Sequence, residues 1–268
     1  MNATSRTETS ARTLTLEGGC NFRDIGGYAT AEGRTVKWGQ VFRAGVLTYF
    51  TPADHGPLQQ LGIRTICDLR RDEERHREPC RWPDAGATPL FWGDDHNMPT
   101  VRGFAAKRPS TSAGMRDAMM DVYRALPAWM APRIRGLFDC LSTGRAPVVV
   151  HCAAGKDRTG VAIAVLLRSL GVPASTVLED YLLTNEAGNF EAFIQSRRDS
   201  HLGLADAHMP LLSMPDDVRR VLFVADADYL EAANRQIDTV HGGLDQYLRT
   251  VVGLNDDMLE RTRGHLLE

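Results

Sequence analysis

Cysteine is scarce in this chain of 268 residues. There are five, Cys20, Cys67, Cys80, Cys140 and Cys152, odd in number and without a CxxC pair. That pattern fits a reducing compartment better than a secreted disulfide framework, and it speaks against a structural zinc site. The eight histidines are scattered and none forms HExxH, so no metal and no other cofactor is expected. Excess charge is also missing. A net charge of −3 gives no ground for general nucleic-acid binding. No apolar run reaches the length of a membrane span, and the opening MNATSRTETSART lacks the apolar centre of a signal peptide. Stable membrane insertion is therefore not expected. Cytoplasmic residence is, with export by a signal-less route left open. Repeats and linkers are absent too, while 43% hydrophobic and 24% charged residues suffice for a sizeable core.

What is present reads as one folded unit, residues 13–268, behind a polar and flexible tail, residues 1–12. From Leu14 to Leu47, short apolar pieces with glycine punctuation predict strands and tight turns. Thr51-Pro52 is a helix start, and that helix should stop at Gly62. Ile63–Leu69 then reads as a buried strand and Ala87–Trp92 as a short one. The charge run RRDEERHRE between them reads as a solvated helix face. Periodicity is lost from Gly93 to Ala113, which places a lid or an irregular excursion there. Two helical stripes follow, Met115-Met119-Val122-Tyr123-Leu126 and Met130-Ile134-Leu137-Phe138-Leu141, both explained by core packing. PVVVH is a buried strand, Thr159–Leu170 a helix closed by Gly171 and Pro173, and the remainder is helical. Strands alternating with helices, then helices alone, predict an α/β fold: a central, mostly parallel sheet with helices on both faces and a helical C-terminal addition.

The chemistry concentrates in VVVHCAAGKDRTG, residues 148–160. Cys152 follows a buried strand and precedes a helix, so its sulfur faces unpaired N–H groups at the positive end of the helix dipole. Such a setting lowers a thiol pKa from ~8.5 to roughly 3.5–7.5. Ala153, Ala154 and Gly155 are small enough for the loop to curl with its N–H groups turned into one concavity, an anion nest. Arg158 can close that nest with a planar fork matched to two phosphate oxygens. Thr159 is placed to hydrogen-bond the sulfur and make it a better leaving group. A nucleophile beneath a bound phosphoryl group, ringed by donors, is suited to phosphoryl transfer to sulfur. A Walker loop is excluded, because Asp157 follows Gly155-Lys156 and Val150 stands where its first glycine belongs.

HCAAGKDRTG carries the Cx5R signature of the protein tyrosine phosphatase superfamily. Its fuller form, HCxxGKDRTG, resembles the bacterial atypical tyrosine phosphatases, the family of the mycobacterial and listerial enzymes. Asn21–Tyr28 (NFRDIGGY), Gly39–Leu47 (GQVFRAGVL), Cys67–Arg70 (CDLR), Asp180–Glu186 (DYLLTNE) and Tyr229–Arg249 agree with that resemblance, which runs from about Leu14 to Arg263. It implies a tyrosine phosphatase-like fold and a cysteinyl-phosphate mechanism without metal or cofactor. Phosphorylated proteins or phosphoinositides are the implied substrates. Cys152 is then the nucleophile. His151, Ala153, Ala154, Gly155, Lys156, Arg158 and Thr159 hold substrate. The general acid is Asp157, within the loop, or Asp68, at the end of the Ile63–Leu69 strand.

Trp82-Pro83-Asp84 spells the mobile acid loop of classical tyrosine phosphatases, but it lies about seventy positions before Cys152 and reads instead as a turn. Lys156 adds a cation to the loop and suggests substrates more anionic than phosphotyrosine. Arg102, Lys107 and Arg108, in the irregular segment, are placed to steer anions. A phosphoinositide phosphatase with the same loop is the closest alternative activity. A sulfurtransferase and a non-catalytic phosphate-binding module are more distant ones. Oligomeric state is not written in the sequence.

Overall fold

The structure, a computed structural model, describes residues 12–93, 98–198 and 212–268. Nearly all of the expected tail, and residues 94–97 of the irregular segment, lie outside them. Among the described residues, five strands form one sheet: β1 (Arg23–Asp24), β2 (Val41–Ala44), β3 (Thr65–Asp68), β4 (Thr88–Leu90) and β5 (Val148–His151), in the order β1-β2-β5-β3-β4. Only β1 and β2 are antiparallel; the other pairings are parallel. The helices are α1 (Pro52–Gln60), α2 (Asp72–Arg77), α3 (Val101–Ala105), α4 (Ser112–Ser142), α5 (Asp157–Ser169) and α6 (Ala174–Leu182). They continue as α7 (Thr184–Ala187), α8 (Phe190–Arg198), α9 (Asp216–Phe223), α10 (Ala227–Arg235), α11 (Leu244–Gln246) and α12 (Asp256–Leu266), with π-helical turns after α10 and α11. No helix among the described residues is long and apolar enough to cross a membrane.

The valines of β5 explain the centre of the sheet. β-branched side chains suit a strand buried on both faces, and all three valines are fully buried. Successive residues point to opposite faces. Val148 and Val150, with Val41 and Cys67 of the neighbouring strands, enter the larger core built from α4, α5, α10 and α12. Val149, with Phe42 and Ile66, enters a smaller core closed by Leu58 of α1 and by Phe22, Leu47 and Phe50. Helices thus flank the sheet unequally. In register, His151 at the end of β5 lies beside Ala44 and Asp68 at the ends of β2 and β3. The chain leaves β5 at the C-terminal edge of parallel strands, where α/β folds place their ligands.

Several expectations change in detail. The two methionine-bearing stripes belong to one helix, α4, which runs through Pro127 and Pro132. Each proline inside a helix costs roughly 3 kcal/mol in a missing N–H and a ring clash. The buried stripe Met119-Val122-Leu126-Met130-Ile134-Leu137-Leu141 passes both without a break, so packing outweighs that cost. The irregular segment contains α3, and α4 begins before its expected end. The charge run corrects the sequence reading more deeply. Asp72, Glu73 and His76 are exposed, but Arg70 is fully buried and Glu74 turns inward. Asp84 is exposed and accepts from Gly86 N at 2.9 Å, the Asx turn expected of its segment. At the far end of the chain Leu267 bridges Val36 antiparallel, and Thr35 and Glu268 exchange backbone bonds of 2.9 and 3.0 Å.

Candidate active site

The loop between β5 and α5 is shaped first by Gly155, whose φ of +69° lies in the left-handed region. A Cβ there would stand 2.5 Å from the carbonyl carbon and oxygen of Ala44, so only glycine fits. Three successive carbonyls of the loop are held from outside. Ala153 O accepts from Val46 N at 3.0 Å, and Ala154 O from Asn21 Nδ2 at 3.3 Å. Gly155 O accepts twice, from Arg43 Nη2 at 2.8 Å and Asn21 Nδ2 at 2.9 Å. In a planar trans peptide the C=O and the following N–H point opposite ways. Anchoring those carbonyls outward therefore turns the amides of Ala154, Gly155 and Lys156 toward the concave side, the nest that the small residues allow.

Arg158, in the first turn of α5, is fixed by a bidentate pair with Glu74 of α2, Nη1–Oε2 2.8 Å and Nη2–Oε1 2.7 Å. Burial alone would raise the Glu74 carboxyl, but the Arg158 guanidinium outweighs it and holds the group well below the usual carboxylate range. Burial likewise works against the Arg158 cation, and Glu74 more than restores it. The guanidinium is thus charged and aimed. Asp157 is the first residue of α5, and its Oδ1 accepts from Tyr123 Oη at 2.7 Å. Tyr123 in turn shares a 2.7 Å hydrogen bond with Tyr181.

Above the loop lies a cavity of about 820 Å³. Cys152, Ala153, Ala154, Lys156, Asp157 and Arg158 form part of its lining. Its walls are largely apolar, from Val101 and Ala105 of α3, Met115 and Met119 of α4, Phe190 and Phe193 of α8, and Leu222 and Phe223 of α9. Met115 and Met119 therefore face the cavity as well as their own helix packing. Cys152 is 1% exposed, so its sulfur sits at the floor of the pocket rather than at its mouth. Among the described residues no group of three or more His, Cys, Asp or Glu side chains is arranged to hold a metal ion.

Four residues singled out by the sequence lie behind the cavity lining rather than in it. Gly155 shapes the loop from beneath. The His151 ring is fully buried, with Nδ1 3.4 Å from Cys152 O and Nε2 3.4 Å from Asp68 Oδ2. Asp68 is gripped by Arg70, Nη2–Oδ2 2.6 Å and Nε–Oδ1 2.9 Å. Burial would raise its pKa, but His151 and Arg70 together hold it well below the usual range, the opposite of what an acid needs. Thr159 is fully buried, and its hydroxyl makes no hydrogen bond among the described residues. The expected bond to sulfur is thus not formed.

Lys156 departs from expectation as well. Its side chain is 2% exposed, and its ammonium donates to the carbonyls of Leu222 and, at 3.4 Å, Val224, with Asp157 Oδ1 at 3.5 Å. It clasps the C-terminal end of α9, where the helix dipole is negative, instead of projecting a free charge. Arg108 pairs with Asp121 and Asp117 rather than facing the cavity, whereas Arg102 does line it. Sequence reasoning missed Glu74, Tyr123 and the anchors Asn21 and Arg43. Asn21 and Arg43 lie inside NFRDIGGY and GQVFRAGVL, which it had set apart without a role.

The comparisons with known proteins agree with this geometry. The model of the tyrosine phosphatase family matches residues 14–268. A protein of Cupriavidus necator named as a tyrosine-protein phosphatase is 34% identical over 254 residues, 92% of this chain and 85% of that one. The triple specificity protein phosphatase PtpB of Mycobacterium tuberculosis is 32% identical over 280 residues, 94% of this chain and 98% of its own. A tyrosine-protein phosphatase of Nostoc commune is 25% identical over 147 residues, 53% of this chain and 47% of its own. With a Cx5R loop at the C-terminal edge of a mostly parallel sheet and a family match across nearly its whole length, the chain belongs to the tyrosine phosphatase family.

Proposed function

We propose that the chain hydrolyses phosphate monoesters of proteins, phosphotyrosine above all, through a cysteinyl-phosphate on Cys152. The observation that carries this reading is Cys152 at the cavity floor, under inward-turned amides and beside an arginine locked by Glu74. A phosphate in the loop meets the amide donors and the Arg158 fork around its equatorial oxygens, where charge is carried during transfer. The Cys152 sulfur attacks phosphorus while the bond to the leaving oxygen breaks. Asp157 protonates that oxygen, since it lines the cavity and Asp68 does not. Water then attacks the cysteinyl-phosphate, Asp157 takes its proton, and sulfur leaves. No step calls for a metal.

The cavity favours breadth of substrate. Its volume of about 820 Å³ exceeds the needs of one tyrosyl ring and admits shorter or bulkier phosphoesters, phosphoinositides among them. The fixed ammonium of Lys156 weakens the extra-charge argument for lipid headgroups, so protein substrates stand first. Residues 13–268 act as one catalytic domain in this reading. Five free cysteines support residence in a reducing compartment, and the net charge of −3 supports the expectation of no nucleic-acid partner.

Phosphate release, with EDTA present, from phosphotyrosine, phosphoserine and phosphothreonine peptides and from soluble phosphoinositides tests the proposal. Release from the tyrosine peptide should be fastest, survive EDTA and vanish in Cys152→Ser. In Asp157→Asn, kcat should fall by roughly 10²-fold or more. Release that persists in Cys152→Ser sinks the mechanism. No release from any substrate returns the sulfurtransferase and the silent binding module to consideration.

A further inference from the structure

Beneath the loop, on the side away from the cavity, three fully buried charges meet. Asp180 of α6 accepts from Arg43 Nη1 at 2.5 Å through Oδ2 and from Arg23 Nε at 3.3 Å through Oδ1. Its backbone carbonyl takes a further bond from Arg23 Nη2 at 2.8 Å, and Tyr28 Oη donates to its Oδ1 at 3.2 Å. Arg23 and Arg43 have no exposed side-chain surface and Asp180 has 1%. Two cations thus share one anion. Burial and the neighbouring Arg43 pull the Arg23 guanidinium down to about 10, still protonated at neutral pH. Burial opposes the Asp180 charge, but both arginines hold its carboxyl below the usual range. The group therefore carries a net charge of +1 in the interior, where an uncompensated charge is costly.

This charge is coupled to the loop by direct bonds. Arg43 donates its second nitrogen to Gly155 O. Arg23 donates to the Asn21 side-chain oxygen, and Asn21 Nδ2 holds the carbonyls of Gly155 and Ala154. Asn21 is the one non-glycine residue with positive φ, +57°, among the described residues. A strained backbone kept in place by surrounding bonds is typical of a site that must be held in one shape. Thr184, fully buried, receives Arg23 Nη2 at 3.3 Å and completes the ring. Three motifs left without a role, NFRDIGGY, GQVFRAGVL and DYLLTNE, thereby converge on the underside of one loop.

We propose that Arg43, Arg23 and Asp180 are positioning residues that hold the loop carbonyls outward and, with a net charge of +1 among the three, place buried positive charge beneath the anion nest, where it favours a bound phosphate group. The inference rests on the loop being the phosphate site proposed above, and it deepens that reading. Opposite signs distinguish it from mere structural support. Removing a cation lowers the charge beneath the loop, and removing the anion raises it. Loss of packing or order would weaken anion binding in either case.

The test is direct binding of inorganic phosphate, by isothermal titration calorimetry, to Cys152→Ser and to the same protein carrying Arg43→Gln, Arg43→Lys or Asp180→Asn. Turnover plays no part, so the result stands apart from whether any ester is hydrolysed. Arg43→Gln should weaken phosphate roughly tenfold, Arg43→Lys should recover most of that loss, and Asp180→Asn should tighten binding several-fold. Should Arg43→Gln not fold, Arg23→Gln, which leaves the Arg43–Gly155 bond in place, should weaken phosphate in the same direction. Folding of Asp180→Asn only with phosphate present follows from linkage alone and counts as weaker apparent binding, against the proposal. Weaker binding in both Arg43→Gln and Asp180→Asn, or no change in either, overturns the proposal. If the Cys152→Ser parent itself binds no phosphate, the phosphate-site reading fails first, and this inference falls with it.

Discussion

Arg158 donates two hydrogen bonds to the Glu74 carboxylate with both side chains nearly closed to solvent, and the pair ties stability to pH with a definite sign. The folded Glu74 carboxyl titrates below its unfolded value of about 4.3. Its contribution is therefore full above that value and is lost as pH falls toward the folded one. Asp68 acts in the same direction. In Glu74→Gln the urea midpoint should drop at pH 7 by the equivalent of roughly 2 kcal/mol. It should also fall less steeply than wild type between about pH 5 and pH 3. Parallel slopes in the two proteins would remove Glu74 from the account. Why did the sequence not show this residue? The nucleophile, the arginine and the glycine of the loop are contiguous, so their spacing alone displays their chemistry. Glu74 is 84 positions from Arg158, inside a run whose charges look solvated. Only the turn of α2, which presents Glu74 inward and Glu73 outward, separates the two neighbours.

At the scale of elements, Lys156 links the loop to α9 through the carbonyls of Leu222 and Val224. A lysine at the C-terminal end of a helix meets both its open carbonyls and its negative dipole end. Lys156→Met should leave the sheet intact while raising amide hydrogen exchange across Asp216–Phe223 by tenfold or more. Unchanged exchange there would mean that α9 is held by its apolar face alone. Local elements were well marked in the sequence. The Thr51-Pro52 start and the Gly62 stop bracket α1, and Gly62 does take φ +58°. Helix continuity was harder, because prolines at 127 and 132 are local signals while the buried stripe that overrides them is a tertiary one. Strand order was not legible. β5 sits between β2 and β3 through parallel pairings whose partners lie more than eighty residues away in sequence, and nothing in a strand's own residues names its neighbours.

On the scale of the whole molecule, residues 266–268 close onto the turn that follows β1. Leu266 and Leu267 are buried, Lys37 N donates to Leu266 O at 2.8 Å, and Arg34 Nη2 reaches Leu267 O at 2.8 Å. Deleting residues 266–268 removes two buried leucines, each contributing about 1.5–3 kcal/mol, along with those bonds. The truncated protein should lose at least about 3 kcal/mol of unfolding free energy, read from urea melts. A loss under 1 kcal/mol would show the closure to be decorative. The bond from Arg34 to Leu267 spans 233 positions. On the ribosome, the turn after β1 therefore waits 233 positions before this partner emerges. A nascent chain stalled at any point short of α12 exposes an unfinished seam beside β1 and β2, the strands that carry Arg23 and Arg43. The residues that hold the phosphate loop, from Asn21 to Val224, all precede α12, so a chain stalled there has the loop's direct supports in hand while the seam beside β1 stays open.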